Sequence, residues 1–187
     1  MYEGMDVIGL RGLIAERAAP FGEAGLARVV QAMDYAESKH AGQTRSSGEP
    51  YITHPMTVAL ILMDLGADCD TVVSGLLHDV VEDTDATVRD VSRMFGASVA
   101  YMVDAVTKPE DGSDPYLKLV GMSENEPRAI TLKLADRLHN MSTISHKSPN
   151  KRVKKAQDTY HRYVPLAEHH GMTRVAQSLR ELCLPYL

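Results

Sequence analysis

The chain has 187 residues and a mass of 20.5 kDa, a length that suits one compact domain. Hydrophobic residues make up 44% and charged residues 24%, which excludes a disordered or collagen-like chain, and no apolar run approaches the roughly 18 residues a membrane-spanning helix needs. The formal net charge of −5 argues against non-specific nucleic-acid binding, but not against an anionic small substrate, because a bound cation and a few local positive groups override the global field.

Two distant cysteines, Cys69 and Cys183, form no CxxC pair, so no disulfide framework is expected and a cytoplasmic setting is the simplest. The opening residues lack the basic-then-apolar pattern of a secretory signal, and none is expected. Along the chain, apolar residues recur at three- and four-residue spacing rather than in alternation. A first helix is predicted over residues 26–40. A second runs over residues 70–81, capped by Asp70, with Val73, Leu76, Leu77, Val80 and Val81 on its buried stripe. Thr87 and Asp90 frame a capping box ahead of Val91, Met94 and Phe95, and Gly96 stops that helix. Val99, Met102, Val103 and Val106 mark the next.

Between residues 108 and 127, Pro109, Pro115, Pro127, Gly112 and Gly121 predict a loop or a broken helix. Pro127 suits the first position of a helix carrying Ile130, Leu134, Leu138 and Met141. Residues 130–134 also read as a short strand, but the helical period continues for three turns and no partner strand is evident. Helices over residues 151–168 and 173–182 complete an all-α chain with a single domain.

The chemistry lies in the histidines and carboxylates. His78 and Asp79 stand inside an apolar helical stretch, where two buried polar side chains without partners would be costly. Neighbouring helical positions point about 100° apart, so both reach one ion beside the helix. Glu82 follows His78 by one turn and Asp83 follows Asp79 by one turn, a crowd that needs a cation or a proton-transfer role. His54, just before Pro55, and Asp136 stand in similar contexts. Together His54, His78, Asp79 and Asp136 offer two neutral nitrogens and two anionic oxygens. That set suits a divalent first-row metal with open positions, Mn²⁺ foremost, with Fe²⁺, Co²⁺ or Zn²⁺ by the same donor chemistry. Against this stand plainer readings: an ion pair of Asp136 with Arg137, and His54 as a helix-entry residue.

Three strings decide between them: residues 40–55, containing Arg45, Gly48, Tyr51 and His54; residues 76–84, Leu-Leu-His-Asp-Val-Val-Glu-Asp-Thr; and residues 133–141, containing Asp136 and Asn140. In this order they resemble the hydrolase domain of the RelA/SpoT alarmone enzymes, within the HD-type metal-dependent phosphohydrolases. The similarity covers about residues 30–171, and implies an HD-domain helical bundle with its core at about residues 26–171. It implies Mn²⁺ on His54, His78, Asp79 and Asp136, and Glu82 and Asp83 as the acids that assist the attacking water. It also implies Arg45 against a guanine base, and Ser47, Asn140 and Thr143 near the nucleotide. Tyr51 and Tyr163 are weaker candidates near the nucleotide and read more readily as packing residues, and His40 reads as packing near the site.

Two departures stand out. Ser46 occupies a position where relatives often carry Lys, and the loop over residues 108–127 is shorter than in the long bifunctional enzymes. The 187 residues have no room for their further domains, so the chain, if complete, reads as a small alarmone hydrolase releasing pyrophosphate from the 3′-diphosphate of ppGpp or pppGpp. The implied partner is a small-molecule nucleotide, with no nucleic acid and no membrane; the oligomeric state is not legible. Three alternatives stay open: a phosphohydrolase of an adenosine alarmone or of the NADPH 2′-phosphate, a catalytically silent alarmone-binding regulator, and, least favoured by the charge, a DNA-associated helical protein. The basic run Lys147, Lys151, Arg152, Lys154 and Lys155 reads as a solvated helix face, or as a guide for 5′-phosphates.

Overall fold

The computed structural model describes Tyr2 and residues 4–187. Among them every regular element is helical, and the β structure is one isolated antiparallel bridge, Thr44 to Pro50. Among the described residues no helix is long and apolar enough to cross a membrane. The chain divides into two compact units, Tyr2–Leu132 and Lys133–Leu187.

The first unit opens with α1 (Val7–Ala18), which starts where the Asp6 carboxylate accepts the Gly9 N–H. The sequence reading missed this helix because its inner stripe is narrow. Only Leu10, Ile14 and Ala18 are buried, and Ile8 is left exposed. Next come α2 (Gly22–Lys39), α3 (Thr53–Asp64), α4 (Cys69–Leu77), α5 (Val80–Asp83), α6 (Val88–Phe95), α7 (Ala97–Val106) and α8 (Pro115–Ser123). The last of these lies inside the stretch predicted as a loop or broken helix. Asp114 opens α8 by accepting the Tyr116 N–H. The capping box is present as expected, with Thr87 and Asp90 each accepting the other's backbone N–H.

Helix α4 is the centre of this unit. Every residue from Thr71 to Leu77 is buried, and the helix packs against α2, α3 and α7. Its cap is Asp68, which accepts the Thr71 N–H, rather than the expected Asp70; Asp70 lies in the first turn and pairs with Arg28 at 2.6 Å. The predicted single helix over residues 70–81 is also broken, between Leu77 and Val80. His78 supplies the reason. Its Nδ1 lies 2.8 Å from the Gly75 carbonyl, taking the acceptor that a continuing helix would offer to the Asp79 N–H.

Gly75 leaves room for a buried side chain of α3, because a Cβ there would fall 2.5 Å from Leu62 Cδ1. Gly75→Val is therefore expected to overpack this contact and lower stability by about 1–3 kcal/mol. Urea denaturation checks this, with a lower midpoint at unchanged slope as the expected result.

Helix α9 (Arg128–Ser142) runs across the division between the units, one residue after Pro127, and residues 130–134 are helical. The second unit continues with α10 (Pro149–Asp158), α11 (Val164–His169) and α12 (Thr173–Cys183). The helix predicted over residues 151–168 is interrupted by a π turn, Thr159–Tyr163, where the Val164 N–H reaches back to the Thr159 carbonyl. Pro165 follows at the start of α11. It has no N–H for an ordinary turn, and the wider turn relieves its clash with the preceding carbonyl.

Candidate metal centre

Two elements of the first unit bring the site together. His54 stands in the first turn of α3, and a tight hairpin-like turn leads into it. In that turn the Arg45 N–H donates to the Glu49 carbonyl at 2.9 Å, the Gly48 N–H to Arg45 at 2.9 Å, and the Tyr51 N–H to Gln43 at 2.9 Å. Gly48 has φ +98°, a conformation that favours glycine. The turn carries Arg45, whose side chain is largely buried with Nε 3.6 Å from Glu49 Oε1, and half-buried Ser47. His78 and Asp79 occupy the break between α4 and α5.

His54 and His78 are buried, and their Nε2 atoms lie 3.2 Å apart. Asp79 Oδ2 is 3.2 Å from His78 Nε2 and 3.4 Å from His54 Nε2. With the His78 proton on Nδ1, donated to Gly75, Nε2 keeps its lone pair toward the other two atoms. Two imidazole nitrogens and a carboxylate oxygen thus converge within 4.8 Å of one another. Lone pairs crowded this closely call for a shared proton or a cation, and this donor set fits a divalent metal.

The acidic pair, one turn beyond Asp79, has fixed partners. Glu82 accepts the Lys108 backbone N–H at 3.1 Å on one oxygen and the Lys108 ammonium on the other. Asp83 accepts from the Tyr51 hydroxyl at 2.8 Å, and the same hydroxyl lies 2.7 Å from Asp79 Oδ2. Tyr51 is therefore more than the packing residue expected from the sequence. Burial, followed by the charge of Asp79, drives its phenol far above the ordinary range. His40 stacks on the Tyr51 ring at 4.7 Å, in accord with its expected packing role. Its Nδ1 lies 2.8 Å from Gln43 Oε1, while Gln43 Nε2 donates to the Asp83 carbonyl at 2.9 Å.

The other named residues belong to the Lys133–Leu187 unit. Asp136 is buried, accepts the Asn140 amide, and lies 3.1 Å from Lys133 Nζ. The plain ion pair with Arg137 is not what forms; Arg137 pairs with Asp158 at 2.9 Å. Asn140 sits one turn after Asp136, and Thr143 donates to the His139 carbonyl at 3.0 Å.

Lys155 departs from the solvated-face reading of the basic run. Burial, then the Arg137 guanidinium, pulls it down to about 8. Burial also opposes the charge of Lys133, but Asp136 and Tyr163 together hold that ammonium above its ordinary value. Between about pH 8 and the ordinary lysine value of 10.5, the unfolded chain binds more protons at residue 155 than the folded one. The Lys155 contribution to stability therefore rises with pH across that window. Lys155→Met is expected to abolish this rise and to stabilise the fold at pH 7, as read from urea midpoints at pH 7, 8 and 9.

A model of the HD domain matches residues 32–173, a span that contains His54, the His78–Asp79 pair and Asp136. The chain belongs to the HD domain family. Among relatives of this HD domain, the bifunctional (p)ppGpp synthase/hydrolase SpoT of Escherichia coli K12 is 43% identical over 164 residues, covering 83% of this chain and 23% of that protein. A probable GTP pyrophosphokinase of Mycobacterium leprae is 40% identical over 185 residues, covering 95% of this chain and 24% of that protein. The chain thus spans about a quarter of the length of these curated relatives. Among solved structures, one described as a metazoan ortholog of SpoT that hydrolyzes ppGpp is similar with a TM-score of 0.70 and 26% identity. That likeness covers 86% of this HD domain and 97% of the other chain.

Proposed function

We propose that this HD domain hydrolyses the 3′-diphosphate of guanosine alarmones, ppGpp and pppGpp, to GDP or GTP and pyrophosphate in the cytoplasm. The observation that carries the reading is the convergence of His54, His78 and Asp79, with Glu82 and Asp83 one turn beyond. The names of the long relatives and of the metazoan neighbour support the same substrate.

His54, His78 and Asp79 would hold Mn²⁺, and the sequence strings name Asp136 as a fourth donor. When bound, the ion would supply charge neutralisation for the 3′-diphosphate and a lowered pKa for water. Glu82 and Asp83 orient the attacking water and take up its proton. Attack at the phosphorus joined to O3′ breaks the P–O3′ bond. O3′ leaves with a proton as the nucleoside hydroxyl, and the two phosphates depart as pyrophosphate. Arg45 offers a planar guanidinium for stacking on guanine and hydrogen bonding to it. Ser47, Asn140 and Thr143 supply polar contacts to the nucleotide.

The test is incubation of the purified chain with Mn²⁺ and a panel of ppGpp, pppGpp, an adenosine tetraphosphate alarmone and NADPH, with products separated by anion exchange. Pyrophosphate from the guanosine substrates is the expected result. Turnover confined to the adenosine substrate or NADPH moves the activity to that nucleotide. Tight ppGpp binding without turnover makes the chain a regulator.

A further inference from the structure

Tyr51 stands where a phenylalanine would pack equally well. Its ring stacks on His40 with centroids 4.7 Å apart and planes 29° apart, and meets His54 edge-on at 6.1 Å. The hydroxyl is the part that packing leaves unexplained. It sits 2.7 Å from Asp79 Oδ2 and 2.8 Å from Asp83 Oδ2, one proton placed between two carboxylates. Asp79 Oδ2 is also the oxygen that faces His54 and His78. Asp83 is exposed, and among the described residues Tyr51 is the donor to its side chain. Without that donor, the like charge of Asp79 is expected to push the Asp83 carboxylate toward solvent.

We infer that Tyr51 is a positioning residue, whose hydroxyl clamps Asp79 toward the metal centre and holds Asp83 beside it, where the water is activated. The ring is fixed from behind by His40. The backbone is fixed by the Tyr51 N–H to the Gln43 carbonyl, and Gln43 in turn holds the Asp83 carbonyl. Hydrogen bonds to a ligating carboxylate orient it, and their loss typically costs about 10-fold to 100-fold in metal affinity or activity. For turnover the inference rests on the proposed alarmone hydrolysis; for metal binding it rests on the geometry alone.

Tyr51→Phe tests it, with Mn²⁺ binding followed by titration calorimetry and ppGpp turnover measured at saturating Mn²⁺. The expected results are weaker Mn²⁺ binding by about 10-fold and a kcat lower by about 10-fold to 100-fold. KM for ppGpp stays within about twofold, since the hydroxyl contacts no nucleotide in this assignment. Asp83→Ala in the Phe background is expected to cost less than the product of the two single losses, because both changes remove the Tyr51–Asp83 bond while only Tyr51→Phe also releases Asp79. Unchanged Mn²⁺ affinity, an effect confined to KM, or fully additive losses would overturn the assignment. A Phe variant that fails to fold would also overturn it, by assigning the hydroxyl to stability. If the unaltered chain releases no pyrophosphate from ppGpp, the substrate reading fails, and the Mn²⁺ titration alone decides the role of Tyr51.

Discussion

Asp79→Ala is expected to lower Mn²⁺-dependent pyrophosphate release from ppGpp by about 1000-fold or more, equivalent to about 4 kcal/mol of transition-state stabilisation. The carboxylate supplies the anionic oxygen that faces both imidazole nitrogens, at 3.2 and 3.4 Å. Without it the site keeps the two neutral imidazoles 3.2 Å apart and, of the proposed anionic donors, Asp136 alone, a much weaker hold on a divalent ion. His78→Ala is expected to reach the same loss and also to cost some stability, because it leaves the Gly75 carbonyl without the imidazole donor. The measurement is steady-state turnover beside metal content by mass spectrometry, with circular dichroism to show that the helices persist. Full activity in an Asp79→Ala protein that holds no metal would sink the proposed chemistry.

How much of this site is legible in the sequence depends on how far apart its partners lie. His78 and Asp79 stand out because two polar side chains interrupt an apolar stripe, a purely local signal. Glu82 and Asp83 stand out for the same reason, one turn later. Their own partners do not. Lys108 meets Glu82 from 26 residues away, and Tyr51 meets Asp79 and Asp83 from 28 and 32 residues away. The sequence signals for Tyr51 are a hydroxyl-bearing ring three residues ahead of His54 and its place in the string over residues 40–55. The helical class follows from periodicity, but helix ends follow from side chains that compete for backbone groups. Asp68 rather than Asp70 wins the start of α4, and His78 ends it by taking the Gly75 carbonyl. The π turn before Pro165 is visible in retrospect, since a proline inside a helical pattern forces a local adjustment.

Arg137→Ala is expected to destabilise the fold by about 3 kcal/mol, a large share of the 5–15 kcal/mol that holds a typical domain. The guanidinium is buried in the Lys133–Leu187 unit, where it bonds Asp158 at 2.9 Å and Thr159 Oγ1 at 3.2 Å. It also lies over the Tyr163 ring at 3.9 Å, a contact worth about 1–2 kcal/mol when desolvated. Asp158, Thr159 and Tyr163 are the end of α10 and the two ends of the π turn, so one side chain fastens the whole irregular stretch. Arg137→Lys keeps the charge but loses the plane that covers Tyr163, so it recovers only part of the loss. Urea denaturation gives the stability, and hydrogen exchange at the amides of residues 159–164 shows where it is lost. A second readout is independent of the folding midpoint: because Arg137 helps to pull Lys155 down to about 8, its removal raises the Lys155 pKa, observable by NMR of the lysine side chain. An Arg137→Ala protein with unchanged stability and unchanged Lys155 titration would show that the guanidinium does not fasten this turn.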